Sequence, residues 1–189
     1  RTAEVSSATV STIRYEDCWA KTTQDGNPGT SVHDHCLNVG CVAQQVVDRL
    51  PLFLASALAA ESGPVLAAVH DVGKVTPGFQ VKCAPWMEAH RFSDKMGVWS
   101  HGCDTDHAKV SQYALQERMT PGARNLWAAV VGAHHGSIKG DRVGGVTEDS
   151  SGIWQAQRLR LIEALITQFG SLPDGQPTDA GLWFTAGMI

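Results

Sequence analysis

Long apolar runs are missing from this 189-residue sequence. None approaches the about 18 residues that a membrane helix needs, so no transmembrane segment is expected. The opening Arg1–Thr12 stretch lacks the apolar centre of a secretion signal, and it lacks an initiator Met, so it reads as the start of a fragment. Cysteine is scarce: Cys18, Cys36, Cys41, Cys83 and Cys103 are odd in number and form no C-x-x-C pair. That argues against a disulfide framework or a thiolate zinc finger and fits a reducing cytoplasm. A positive surplus is absent too, with 15 basic against 19 acidic residues and a formal charge of −4. Such a balance does not make a broad electrostatic platform for nucleic acid. Bound divalent cations would reverse the potential locally, so a polyanionic substrate stays compatible with it. Repeats and low-complexity tracts are not found, and strand-like alternation is rare. With 43% apolar residues the chain is long enough for one well-buried domain, nearly all α.

Patterning along the chain predicts the helices. Gln24–Ser31 reads as a loop leading into the first of them. From His35 onward, Val39, Val42, Val46 and Leu50 recur at helical spacing, predicting a helix headed by His35 with this stripe turned inward. Pro51 ends or kinks it. A second helical segment covers Leu52–Ala60, and Ser62-Gly63-Pro64 punctuates. Val65–Val69 then leads into His70–Lys74, with Gly73 and Thr76-Pro77-Gly78 marking the end. Lys82–Asp106 reads as a long, partly irregular excursion. Asp106 is the expected N-cap of a helix from His107 through Val110, Ala114 and Leu115. After Pro121-Gly122, Leu126–Ala133 runs into His134-His135-Gly136. Ser137–Gly152, with four glycines, reads as a mobile loop. Ile153–Phe169 is amphipathic through Trp154, Leu161, Leu165 and Phe169, and Ala180–Ile189 is apolar. The six tryptophans read as core or loop anchors rather than base-stacking platforms.

What the chain does have is a series of metal-ligand side chains on helical segments: His35, His70-Asp71, His107 and His134-His135. Neutral imidazole with carboxylate suits first-row transition metals. The His-Asp dipeptide alone is weak, since His33-Asp34 repeats it in the N-terminal loop. The second copy is distinguished by its place after an apolar helix and by the Gly73-Lys74 that follow. There Asp71 can bridge two metals about 3.5–4 Å apart, as two-metal hydrolases require. His70 would complete one shell, and Lys74 would reach a phosphate oxygen or steady the pocket carboxylates. His134 and His135 can face one metal where their helix ends, which Gly136 permits, and His107 adds a third nitrogen. His35 is preferred over His33 because it heads the apolar stripe. His90 and His101 read as surface residues.

The run Ala-Ala-Val-His70-Asp71-Val-Gly-Lys74-Val-Thr-Pro-Gly-Phe79-Gln80 closely resembles the HD-superfamily nuclease domain of the CRISPR-associated nuclease-helicase of type I systems. Trp19-Ala-Lys21, His35 with its following Leu-Asn-Val-Gly, His107-Ala-Lys-Val-Ser111 and His134-His135-Gly136 match the same pattern. The likeness spans about Trp19 to Ile189 and implies an all-α HD fold with long connecting loops, a single nuclease domain over 1–189. It implies that His35, His70 and Asp71 hold one divalent ion (Mn, Fe, Ni, Co or Mg), and Asp71, His107, His134 and His135 another. The implied reaction is two-metal hydrolysis of single-stranded DNA, in the strand displaced by a guide RNA. The implied partners are an RNA-guided surveillance complex and a helicase domain of the same or a second chain, with no membrane involved. The family pattern carries one more Asp after an Ala-Gly-containing helix. Trp183–Ile189 reads as the start of that helix and Asp179 lies too early, so the first site is expected to be short of a carboxylate. Two other classes share such ligands: an HD phosphohydrolase acting on nucleotides or cyclic nucleotides, and a degenerate, non-enzymatic docking module. The intact ligand set argues against the second.

Overall fold

Side-chain caps begin three helices, at Val32, His107 and Asp179, in the computed structural model, which describes residues 13–90, 102–119, 124–136, 140, 142–148 and 152–189. The first long helix, α1 (Val32–Val47), starts three residues ahead of His35 because Ser31 caps it, its Oγ accepting from Asp34 N at 3.0 Å. The inward face also differs from the expected stripe: Val42 and Val46 are exposed, while Val32, Cys36, Gly40 and Ala43 are buried. Close approach decides this. A Cβ on Gly40 would stand 2.5 Å from the Phe169 ring and 2.9 Å from the Ala68 Cβ, so only glycine lets these helices meet there.

Leu52–Ala60 is shorter than expected. Helix α2 (Leu52–Ala57) stops where Ala59 takes a left-handed conformation, φ 49°. Helix α3 (Gly63–Ala68) is buried throughout and then tightens into a 3₁₀ turn over Val69–Lys74, so the His-Asp pair lies in that turn rather than at an α-helical end. The expected irregular excursion begins with order: α4 (Pro77–Gln80) precedes it, and α5 (Ala84–Ala89) lies inside it with Trp86 buried. Proline in the first turn of each helix costs no backbone hydrogen bond and presets its φ. His90 caps α5 and stacks on Trp86 at 4.4 Å. His101 and Trp99 lie outside the described residues.

Asp106 caps α6 (His107–Arg118) as expected, accepting from Lys109 N. Helix α7 (Arg124–Gly132) leads to the turn bearing His134 and His135. Helix α8 (Ile153–Phe169) has the predicted bounds, and α9 (Asp179–Met188) covers the apolar C-terminal stretch. The described part of the segment expected to be a mobile loop is tied down. Thr147 N donates to Asp104 Oδ2, and Glu148 makes a bidentate pair with the buried Arg158. Trp19, Trp86, Trp127 and Trp154 are buried anchors, whereas Trp183 is 78% exposed. The architecture among the described residues is all-α, with two isolated bridges, Trp19↔Ser31 and Thr22↔Pro28, holding the loop before α1. None of these helices is long and apolar enough to cross a membrane.

Candidate metal centre

The 3₁₀ turn after α3 positions the centre. Three residues per turn eclipse side chains i and i+3, which sets Lys74 over Asp71. Lys74 Nζ lies 2.7 Å from Asp71 Oδ2, and both side chains are about as buried as the core. His70 turns the other way, its Nδ1 donating to Ala67 O at 2.8 Å, and its Nε2 comes within 3.2 Å of Asp71 Oδ2. From α1, His35 Nε2 reaches the same oxygen at 2.9 Å.

The other carboxylate oxygen faces different helices. His107, in the first turn of α6, and His134, in the turn after α7, each bring Nε2 to 3.3 Å from Asp71 Oδ1. That oxygen is buried and accepts no hydrogen bond. His135 Nε2 is 2.9 Å, and His134 Nε2 3.4 Å, from His107 Nε2. Gly136, at φ +76°, turns the chain away after the two histidines. Gly73 lets the turn meet α6: a Cβ there would be 2.0 Å from His107 O and 2.5 Å from Ser111 N. Ser111 Oγ accepts from Gly73 N at 2.9 Å and pins that contact.

Two of the imidazoles show what the cluster suits. His70 and His134 donate Nδ1–H to backbone carbonyls, Ala67 O and Val131 O, which fixes each ring with Nε2, the atom available to ligate a cation, turned toward the carboxylate. Lone pairs converging on a carboxylate repel unless a cation or proton lies among them. For a metal–nitrogen bond of about 2.1 Å, neighbouring ligand atoms fall about 3.0–3.4 Å apart. The 2.9 and 3.4 Å separations around His107 Nε2 match that spacing. The donor sets His107, His134, His135 and His35, His70, Asp71 each gather within 4.8 Å, and so fit an ion apiece with Asp71 shared.

Electrostatics reinforce the fit. Burial pushes the Asp71 pKa up, but contacts with His107, His134, His35 and His70 outweigh it and hold the carboxyl far below the usual range. Burial lowers His107 despite Asp71, and burial with the neighbouring His134 and His107 lowers His135. Both rings therefore stay neutral, the ligating form, at neutral pH.

Residues 19–188 match the family described as Cas3, HD domain. The chain belongs to this family of Cas3 HD domains. Solved structures share the fold at 18–21% identity, each over 93% of this chain. T. fusca Cas3 with AMPPNP gives a TM-score of 0.73 at 18% identity, a CRISPR-associated protein 0.69 at 21%, and a CRISPR RNA-guided surveillance complex, pre-nicking, 0.64 at 20%. The chain spans only 22–23% of the length of those chains. No curated protein matches it by sequence.

Of the residues expected at a Cas3-type HD centre, the structure brings His35, His70, Asp71, Lys74, His107, His134 and His135 together. His33 stays outside, paired with Asp34 at 3.1 Å. Lys74 holds its ammonium buried on Asp71, the carboxylate-steadying one of its two expected roles. The reason for Gly73 differs from the expected helix stop, since the space beside His107 and Ser111 requires it. Ser111, Trp19 and Gln80 support the cluster, and sequence reasoning noted them only as matching residues. No periodicity marks such partners, because their hydrogen bonds cross 38 and 61 positions of the chain.

Proposed function

We propose that this domain is a divalent-metal-dependent nuclease that cuts single-stranded DNA during type I CRISPR interference. One observation carries the reading: five imidazoles and the shared Asp71 converge as two donor sets in a Cas3 HD domain. His107, His134 and His135 with Asp71 Oδ1 would hold one ion, and His35 and His70 with Asp71 Oδ2 the other, from among Mn, Fe, Ni, Co and Mg. Bound cations supply Lewis acidity, activation of water, and neutralisation of charge on phosphate oxygens.

The chain's own residues do the rest. Asp71 orients both donor sets, and Lys74 steadies that carboxylate instead of reaching outward for phosphate. Phe79, edge-on to His107 at 5.1 Å, shields one side. The exposed His135 and half-buried His107 leave the Oδ1 side open to an extended polyanion, whereas His70 and Asp71 are closed off. The exposed face supports a polymer substrate over a nucleotide enclosed in a pocket. The partners in this reading are an RNA-guided surveillance complex and a helicase domain, with action in the cytoplasm, where five cysteines without a C-x-x-C pair fit.

The test incubates metal-reconstituted protein with circular single-stranded DNA and, in parallel, with nucleotides and cyclic nucleotides. Cutting of the circle with Mn²⁺, Ni²⁺, Co²⁺ or Fe²⁺ is expected. Turnover of nucleotides alone would replace this reading with a small-molecule phosphohydrolase.

A further inference from the structure

Two buried polar side chains of the central motif, Gln80 and Lys74, lie outside both donor sets. The Gln80 amide is a clamp. Its Oε1 accepts from Trp19 N at 3.0 Å, and its Nε2 donates to Trp19 O at 2.9 Å and Lys74 O at 2.8 Å. Trp19 Nε1 returns a bond to Gln80 O at 3.1 Å. The clamp fixes the Trp19–Ala20 backbone against that of Lys74. Ala20 O is the carbonyl that accepts from Lys74 Nζ, at 3.3 Å.

The ammonium is thus held on one side of Asp71 only. Oδ2 carries Lys74 Nζ at 2.7 Å besides His35 and His70. Oδ1 faces the His107 and His134 imidazoles at 3.3 Å, accepts no hydrogen bond and, among the described residues, has no lysine or arginine paired with it. Like charges a few ångströms apart repel strongly in a buried site, where water screens them little.

We infer that Lys74, held by the Gln80 clamp, is an internal cation that makes the two halves fill in order. A divalent ion enters the Oδ1 half first and tightly. The Oδ2 half fills at higher concentration, because its ion must share Oδ2 with the ammonium. Lys74 is in this sense a positioning and tuning residue, acting through Asp71. The inference rests on the two-ion reading above.

Manganese titration of the metal-free protein, followed by electron paramagnetic resonance and calorimetry, tests it without any cleavage assay. Wild-type protein is expected to show a tight and a weak class at least about tenfold apart. His35→Ala should erase the weak class alone. Lys74→Met keeps the apolar stem and removes the charge, and should tighten the weak class by about tenfold while the tight class moves little. Gln80→Leu, which frees the ammonium without removing it, should shift the weak class in the same direction by less. It also provides the readout should Lys74→Met fail to fold. Two equal classes in wild type, or a weak class unmoved in folded Lys74→Met or Gln80→Leu, would overturn the inference. Absence of any manganese binding to wild type would overturn the two-ion reading itself, and the inference with it.

Discussion

The two sides of Asp71 are built in opposite ways. On the Oδ2 side the donors come from α1 and from the 3₁₀ turn itself, and a buried lysine already compensates the carboxylate. The Oδ1 side takes its donors from α6 and from the turn after α7, is open to solvent at His135, and among the described residues pairs with imidazoles but with no lysine or arginine. One side therefore already carries a fixed ammonium on its oxygen, while the other is an array of lone pairs that a cation completes. A single carboxylate serves both because burial and the eclipsed geometry of the turn leave it no freedom to rotate away.

Removing what the sides share should have the largest effect. Asp71→Ala is expected to abolish manganese binding at both halves and to lower cutting by at least about 10³-fold, equivalent to roughly 4 kcal/mol of lost transition-state stabilisation. The substitution also leaves Lys74 buried without its partner, which costs about 3–5 kcal/mol of stability. The Asp71→Ala/Lys74→Met double variant separates the two effects. Its melting temperature should recover while metal binding stays lost, as read by thermal denaturation beside calorimetry. Manganese bound at either half of the double variant would show that the sides do not depend on the shared carboxylate.

A smaller effect should fall on one side only. In Gly73→Ala the new Cβ meets backbone atoms of α6, so the helix carrying His107 has to shift. Such overpacking costs about 1–3 kcal/mol. The tight manganese class should weaken while the class relying on His35 and His70 changes less, since neither residue lies on α6. Urea denaturation and manganese titration together check this. Equal weakening of both classes would mean that the sides are mechanically one unit.

The helices and the ligand set were largely legible in the sequence and the asymmetry was not, for reasons that differ by element. Asp106 as a cap and the bounds of Ile153–Phe169 follow from local rules, and the structure agrees. The inward face of α1 did not, because hydrophobic periodicity weights large residues, whereas contact there is made through Gly40 and Ala43. The His, Asp and Lys of the cluster stood out because few roles suit them in apolar helices. That Lys74 loads only one oxygen depends on the 3₁₀ turn, and the Gln80 clamp depends on a partner 61 positions away. Neither leaves a periodic trace.

Acid should have the mildest effect, and it probes the open side. His107 and His135 have pKa values lowered below 6.5, first by burial. An imidazole with a depressed folded-state pKa binds fewer protons folded than unfolded, so stability rises with pH between the two values. The contribution is complete above about 6.5, the unfolded value, and is lost as pH falls toward the folded values. Asp71, held far lower, stays ionised throughout that window. The metal-free protein should therefore melt a few degrees lower at pH 5.5 than at pH 7.5. With manganese present the drop should be steeper, because an ion on the Oδ1 side requires both rings neutral. Replacing His135 with Gln should flatten the metal-free profile and leave the dependence due to His107. An unchanged slope would place the titration elsewhere and remove proton competition from the open side.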